Sequence, residues 1–507
     1  MFERKTVAAH TLGCKVNQHE TETILELFRQ QGYQVVDFAG EADVYLINTC
    51  TVTHLGDRKS RQIIRRATRQ NPHALVVVTG CYAQRAPEEI AELPGVDLIV
   101  GNQERGQIVG LVEKLAGKKG NIEKHPSDLE ANQPLARTPV KLVNNMQLVR
   151  SFEELPLVIT RGRTRAMVKV EDGCNQYCSY CIVPYTRGPV RSRPAERVVA
   201  EIAQLVEAGF QEIVLTGIHT SAYGLEWRQG KTTPNLATLI ELILREVPSL
   251  ARLRISSVEP TEVPEGLSEI MANSRVLCRH LHIPLQSGDD EILQRMRRPY
   301  STAQYAALVR NLRDQIPGLA ITTDVMVGFP GETDAHFARS CSFIKQIGFS
   351  DLHVFKYSPR KGTPAAAFKE QVVPPIKEKR SQFLITLAAA LQQRYAAEFL
   401  GESLEVLLEE EVQVPPRLRL TIEGSLTKHK VPGACHGESA PEEQPQPNEN
   451  TPNDQPGKYW AGYSDNYLRV TVPVLGNDSM AGRFVKVSLM TIDNEFLLGR
   501  IIENSRN

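Results

Sequence analysis

The chain has 507 residues, 41% hydrophobic and 23% charged, with 59 Lys plus Arg against 59 Asp plus Glu. That length exceeds one ordinary core and implies roughly two to four domains. The composition excludes a disordered or fibrous chain, and zero net charge leaves only local basic patches to meet a nucleic acid.

No apolar run approaches the length of a membrane span, and the polar opening MFERKTVAAHTLG lacks a signal-peptide core. The expectation is a cytoplasmic protein with no membrane partner. Nine cysteines in a reducing compartment point to metal ligands, catalytic groups or core thiols rather than disulfides.

In chain order, VAAHTL, DVYLIN, ALVVVT and DLIVGN are apolar strand-like runs. Helical patterns separate them around Glu20–Gln31, Leu55–Gln70 and Pro87–Leu93. This alternation predicts a doubly wound α/β domain over residues 1–117. Residues 118–160 show no sustained periodicity and are expected to be a linker. AMVKVE, EIVLT, LRISS, CRHLHI, AITTDVMV and DLHVFKY then alternate with helix-length segments, predicting a partial or full (β/α) barrel over 161–398. The stretch Pro375–Leu400 is its closing helix. From residue 399, LEVLLEEEV, YLRVTVP and RFVKVSLM alternate as strands of a small antiparallel barrel. A disordered insertion at about 425–457 interrupts it, since Pro441–Pro456 carries five prolines and no large apolar residue. The fold class is therefore multidomain α/β with a small C-terminal β-barrel.

Two cysteine sets carry the chemistry. VEDGCNQYCSYCIVPYTRG places Cys174, Cys178 and Cys181 in a CxxxCxxC arrangement just after a strand. Three cysteines holding a 4Fe-4S cluster leave one iron open to a substrate or cofactor. A structural zinc site is the alternative, but closed zinc sites take four ligands and no fourth Cys or His lies close in sequence. The second set, Cys14, Cys50 and Cys81, follows three strand ends in TLGC, INTC and VTGC. In a parallel sheet these ends share one edge, so three distant thiols would converge. Ordinary buried thiols are the bland alternative. Cys278 and Cys341 read as core thiols, and Cys435 matches no motif.

CxxxCxxC with Tyr180 before its last cysteine resembles the signature of the radical S-adenosylmethionine (SAM) superfamily. The resemblance implies that SAM binds the open iron and is cleaved to a 5′-deoxyadenosyl radical. It carries SAM binding over to Tyr180, to Gly217 in LTGIHTSAYG, to Glu259 in SSVEP, to Gln286 in HIPLQSG, and to Gly328 and Gly331 in VGFPGET. TLGCKVNQ, INTCTVT and TGCYAQ resemble the N-terminal module of the radical SAM methylthiotransferases, which implies a second 4Fe-4S cluster that holds or donates sulfur. GYSDNYLRVTVP resembles the RNA-binding TRAM domain of that family.

Within the family, TLGCKVNQ is most similar to the bacterial enzymes acting on N6-threonylcarbamoyladenosine at position 37 of tRNA. The resemblance implies methylthiolation at C2, with tRNA and SAM as partners, an external electron donor, a sulfur source and a monomeric enzyme. Isopentenyladenosine of tRNA, an aspartate of a ribosomal protein, and a non-catalytic iron–sulfur RNA-binding role are the alternatives. Three basic groups are expected to meet phosphate. They are Arg58, Lys59, Arg61, Arg65, Arg66 and Arg69; Arg187, Arg191 and Arg193; and Arg295, Arg297 and Arg298. One of these arginines is expected to face the modified base. Deleting Pro441–Pro456, which offers nothing to a core, should leave melting temperature and turnover nearly unchanged; a large drop in either would show that the segment packs or binds.

Overall fold

The computed structural model describes residues 5–120, 138–157, 159, 164–227, 234–415, 458–474, 478–493 and 496–504. The expected insertion at 425–457, with Cys435, lies outside the described residues. The chain divides into two compact units, the first running to Ala389 and the second from Ala390, joined there by a short stretch ending at Thr164.

The first unit opens with a parallel sheet. Its strands are β1 (Thr6–Thr11), β2 (Gln34–Val36), β3 (Val44–Thr49), β4 (Leu75–Gly80), β5 (Leu98–Val100) and β6 (Val140–Leu142). Every residue of β3 and β4 is buried, as expected of central strands covered on both faces. Helices α1 (Lys15–Gln30) and α5 (Ile108–Gly120) cover one face through Ile24, Phe28, Ile108 and Val112. On the other face lie α2 (His54–Gln70), α3 (Cys81–Arg85) and α4 (Pro87–Ala91), through Ile64, Ala67, Tyr82 and Ile90.

The strand order β2-β1-β3-β4-β5-β6 places a topological switch between β1 and β3, whose connections leave toward opposite faces. The expected linker is corrected here. Val140–Leu142 pairs with β5 as the sheet's edge strand, and Met146 beyond it is 1% exposed. Three residues are too few to show a period.

Six further parallel strands form an arc: β7 (Arg165–Lys169), β10 (Glu212–Thr216), β11 (Arg252–Ile255), β12 (His280–His282), β13 (Ala320–Val327) and β14 (Asp351–Lys356). A parallel bridge from Leu253 to Leu277 links its two three-stranded halves. The short pair β8 (Glu171–Asp172) and β9 (Arg191–Ser192) flanks α6 (Val183–Arg187) above β7. The covering helices are α7 (Ala195–Glu207), α8 (Leu236–Glu246), α9 (Leu267–Asn273), α10 (Asp290–Arg295), α11 (Thr302–Gln315) and α12 (Asp334–Ile347), then α13 (Pro374–Ala397). Capping boxes at Asn235/Thr238, Ser301/Gln304 and Thr333/His336 fix the starts of α8, α11 and α12.

The second unit is a closed barrel ordered β15-β16-β17-β19-β18. Its strands are β15 (Ser403–Val412), β16 (Lys458–Ser464), β17 (Arg469–Val474), β18 (Phe484–Asp493) and β19 (Phe496–Asn504). Val470 and Val472, and Val485 and Val487, point inward at alternate positions to fill it. One seam departs from the expected antiparallel pattern: β17 and β19 pair in parallel.

Within the first unit, two buried ionic seams join the sheet domain to the arc. In one, Glu20 of α1 meets Arg105 at 2.6 Å, Lys169 at 2.9 Å and Arg187 at 2.5 Å. Asp172 shares Lys169 at 2.6 Å and Arg187 at 3.4 Å, and Arg105 also pairs with Glu153 at 2.8 Å. In the other, Arg360 donates to Thr51 Oγ1 at 2.8 Å and pairs with Asp57, which Arg85 meets at 3.0 Å.

Although burial alone would raise the Glu20 carboxyl, Arg105, Arg187 and Lys169 hold it well below its ordinary value of 4.5. The stability it contributes is therefore complete above about pH 4.5 and is lost as pH falls below that, through the folded-state pKa. Glu20→Gln should destabilise the first unit by about 3–5 kcal/mol near neutral pH, because buried cations lose their partner. Urea denaturation checks this against Glu26→Gln, which breaks the partly exposed Arg29 pair and should cost less than about 1 kcal/mol.

Candidate active site

The carboxyl edge of the first sheet brings Cys14, Cys50 and Cys81 together. Cys14 is the N-cap of α1, Cys50 follows β3, and Cys81 opens α3 after β4. A Cβ placed on Gly13 would lie 3.1 Å from Cys50 Cβ, so the turn before Cys14 runs directly against the second cysteine. Burial pushes the Cys50 thiol up to about 12, with Cys81 and Cys14 adding to the rise. Cys14 is raised mainly by burial, and Arg187 opposes that rise.

Sequence reasoning missed the side chains that hold this edge. Asn17 Nδ2 donates to Leu12 O at 2.8 Å and Thr49 O at 3.1 Å, tying the Cys14 loop to the Cys50 loop. Asn48 Nδ2 donates to Asn17 O at 3.0 Å and Thr21 Oγ1 at 3.1 Å. Arg187 Nη2 donates to Asn17 Oδ1 at 2.6 Å, reaching from the arc into the first cysteine set. Asn102 Nδ2 lies 3.9 Å from Cys81 Sγ and donates to Thr186 O at 2.9 Å. The Asn in CKVNQ and in LINT was the available signal, since a buried amide beside a cysteine loop has to bond something.

The second set lies in the loop between β8 and α6. Cys174 N donates to Gly188 O at 3.0 Å and Cys181 N to Cys178 O at 3.0 Å. His219 Nδ1 is 3.6 Å from Cys174 Sγ, and its Nε2 is 2.8 Å from Glu262. Burial raises Cys178 and Cys181. At Cys178 the rise is opposed by Arg298, whose Nη1 donates to the thiol at 3.3 Å and to Gln176 Oε1 at 3.1 Å.

Arg298 also pairs with Glu259, so that expected site residue reaches the cysteine loop through the guanidinium. Tyr180 packs against Ile292, Met296, Phe329, Tyr357 and Ala365. A Cβ on Gly217 would come within 2.8 Å of Glu171 Oε2, a buried carboxyl pushed up to about 8 by burial. Gln286 takes φ 64 and pairs its backbone with β13 at Asp324. Gly328 and Gly331 have positive φ, and a Cβ there would also meet the Lys377 and Arg295 side chains, so both turns favour glycine on backbone conformation and on space. Cys278 and Cys341 are buried core thiols, 1% and 7% exposed.

These surroundings fit an iron–sulfur group in each cysteine set. The Cys50, Cys178 and Cys181 thiols, raised by burial, ionise when metal charge replaces the proton. Among the described residues, the group of metal-ligating side chains whose atoms lie within 4.8 Å of one another is His282, Asp324 and His353. Neither cysteine set therefore has the compact spacing of a single zinc ion, which holds each sulfur at about 2.3 Å. Beside the second set, Gln176 Nε2 and Glu171 Oε1 are buried with no hydrogen-bond partner among the described residues, which leaves polar groups for a cofactor bound there.

The expected phosphate contacts divide sharply. On α2, Arg58, Lys59, Arg65, Arg66 and Arg69 are exposed, and none has a carboxylate partner among the described residues; Arg61 is half-buried and donates to Tyr82 Oη at 2.9 Å. The second group is corrected: Arg187, Arg191 and Arg193 are 0%, 1% and 7% exposed and pair with Glu20, Asp172, Glu154 and Glu201. In the third, Arg298 is buried at Cys178, Arg295 pairs with Glu370 at 3.1 Å, and Arg297 is exposed.

Comparison with known proteins supplies the family. The model described as Uncharacterized protein family UPF0004 matches residues 6–101, and the Radical SAM superfamily model matches 168–344. The chain is 40% identical to the "Threonylcarbamoyladenosine tRNA methylthiotransferase MtaB" of Bacillus subtilis (strain 168), over 98% of this chain and 97% of that one. It is 37% identical to the protein of the same name from Aquifex aeolicus (strain VF5), covering 80% and 93%. It is 34% identical to a "tRNA-2-methylthio-N(6)-dimethylallyladenosine synthase" of Akkermansia muciniphila, covering 79% and 87%.

Among solved structures, the radical S-adenosylmethionine methyltransferase TsrM of Kitasatospora setae shares the fold, at TM-score 0.52 and 16% identity over 72% of this chain and 77% of that one. Two cysteine sets on two parallel sheets, both family models in order, and near-complete alignment to curated relatives lead to one conclusion: the chain belongs to the radical SAM methylthiotransferases.

Proposed function

We propose that this enzyme adds a methylthio group to C2 of N6-threonylcarbamoyladenosine at position 37 of tRNA. Cys14, Cys50 and Cys81 hold one 4Fe-4S cluster, and Cys174, Cys178 and Cys181 hold the other. The observation that carries the reading is the fixed relation of the two cysteine sets. Arg187 bonds Asn17 beside Cys14 and closes the Glu20–Asp172 seam next to the Cys174 loop. The full-length similarity to the Bacillus subtilis relative, whose name carries the threonylcarbamoyl substrate, supports that choice of base.

When bound, the clusters and SAM supply the electron, the hydrogen-abstracting radical and the sulfur. The chain supplies position. Arg298 sets a fixed positive charge against Cys178 and is held there by Glu259 and Gln176. Asn17 and Asn48 lock the loops of the first set.

The exposed face of α2, beginning four residues past Cys50, offers cations without carboxylate partners among the described residues to an RNA backbone. The C-terminal barrel serves as a TRAM-like RNA-binding domain. SAM cleavage draws on an external reductant and sulfur insertion on a sulfur source, in a monomer working in the cytoplasm; among the described residues no helix is long and apolar enough to cross a membrane.

Mass spectrometry of tRNA nucleosides from a deletion strain tests the reading: the methylthiolated threonylcarbamoyladenosine should vanish while its unthiolated form accumulates. Loss of the methylthio isopentenyl product instead would reassign the substrate. Cys178→Ala should abolish deoxyadenosine formation, whereas Cys50→Ala should retain SAM cleavage and lose sulfur insertion; anaerobically reconstituted iron should fall by about half in each. Zinc without iron would overturn both assignments. Arg65→Gln with Arg69→Gln should weaken tRNA binding and lower the slope of log affinity against log salt by about 1–2; an unchanged slope would remove α2 from the RNA surface.

A further inference from the structure

Among the described residues, one group of metal-ligating side chains belongs to neither cysteine set. The ligand atoms of His282, Asp324 and His353 all lie within 4.8 Å of one another. They come from three neighbouring parallel strands, β12, β13 and β14. In that register His282 and Asp351 sit beside Thr322, and His353 sits beside Asp324, so the five residues share one face. Ile321 and Thr323, at the alternate positions of β13, are buried on the other side.

The distances suit an ion. His282 Nε2 and His353 Nδ1 each lie 3.2 Å from the same oxygen, Asp324 Oδ1, and the two rings stack at 5.4 Å. An ion bonded to nitrogen and oxygen at about 2.1 Å holds neighbouring ligand atoms about 3.0–3.4 Å apart at octahedral or tetrahedral angles. Metal-bound imidazoles are commonly fixed through their other nitrogen. Thr322 Oγ1 does this here, 3.0 Å from His282 Nδ1 and 3.0 Å from His280 Nε2, which leaves His282 Nε2 turned to Asp324. Asp351 Oδ1 accepts from Leu352 N at 2.8 Å, so this second carboxylate of the face is anchored beside the group. The His353 side chain is 53% exposed, which gives an ion a path in and leaves room for further oxygen ligands.

We propose that His282, Asp324 and His353 bind one divalent first-row metal ion, at a site separate from the two cysteine sets. Two imidazoles and one carboxylate are a ligand set that zinc and its neighbours take with positions left open. The set contains no thiolate, so its occupation is independent of cluster assembly. It is equally independent of which tRNA base is the substrate.

The test adds zinc chloride to the anaerobic, cluster-loaded enzyme, removes loosely held metal by dialysis, and measures the zinc retained and its affinity. The wild type should keep about one zinc per chain beside its cluster iron. X-ray absorption at the zinc edge should show nitrogen and oxygen neighbours at about 2.0–2.2 Å and no sulfur at about 2.3 Å. His353→Gln and Asp324→Asn should each weaken zinc binding by at least about 10-fold while cluster iron stays in place. His336→Gln, at the start of α12, should leave zinc binding unchanged. Because His353 is exposed, its variant keeps the test decisive even if Asp324→Asn fails to fold. A wild type that retains no zinc overturns the site and leaves the three side chains as a hydrogen-bonded group. Sulfur in the zinc shell overturns it by assigning the ion to cysteine, and so does an affinity unmoved by His353→Gln.

Discussion

The structure depends first on the pairing of Glu20 with Lys169, Arg105 and Arg187, all buried. Removing such charges from water is expensive, and the pairing is favourable only while every member is in place. Glu20 belongs to the helix that starts at Cys14, and Arg187 ends the helix that starts just past Cys181. Any displacement of one cysteine loop relative to the other therefore strips charges of their partners. The cost falls on geometry that the chemistry needs fixed, which gives a physical reason for a polar rather than an apolar seam.

A second consequence concerns the thiols. The first set lies at the carboxyl edge of a parallel sheet, where three strand ends bring cysteines far apart in sequence to one place, while the second shares a single loop after β8. Burial raises the Cys50, Cys178 and Cys181 thiols, which stay neutral until metal charge displaces the proton. Arg187 at the first set and Arg298 at the second act against that rise. Each set is thus supplied with one buried guanidinium that favours a thiolate, and each guanidinium is fixed by a carboxylate from another element.

The strand pattern and the cysteine placement were legible because both depend on local sequence. EIVLT and AITTDVMV match β10 and β13 residue for residue, and the strand-end position of each cysteine gives its convergence. What was not legible is pairing at long range. Glu20 and Arg187 stand 167 residues apart, and nothing in either neighbourhood marks the other. The same gap made Arg187, Arg191 and Arg193 look like a phosphate-binding run, although their carboxylate partners bury them. The exposed cations of the α2 run differ in having no carboxylate ion-pair partner among the described residues. Strands of three residues, Gln34–Val36 and Val140–Leu142, carry no period at all and are fixed by the sheet they join.

The central claim is that one compact unit presents a carboxylate-bearing adenosine to two clusters. A competition between two purified tRNAs, one carrying threonylcarbamoyladenosine and one isopentenyladenosine at position 37, tests it most directly, with the anaerobic wild-type enzyme, SAM and a reductant. Resolved by mass, the methylthio product should form on the threonylcarbamoyl base and be nearly absent from the isopentenyl base. Equal or preferential methylthiolation of the isopentenyl tRNA would contradict the account.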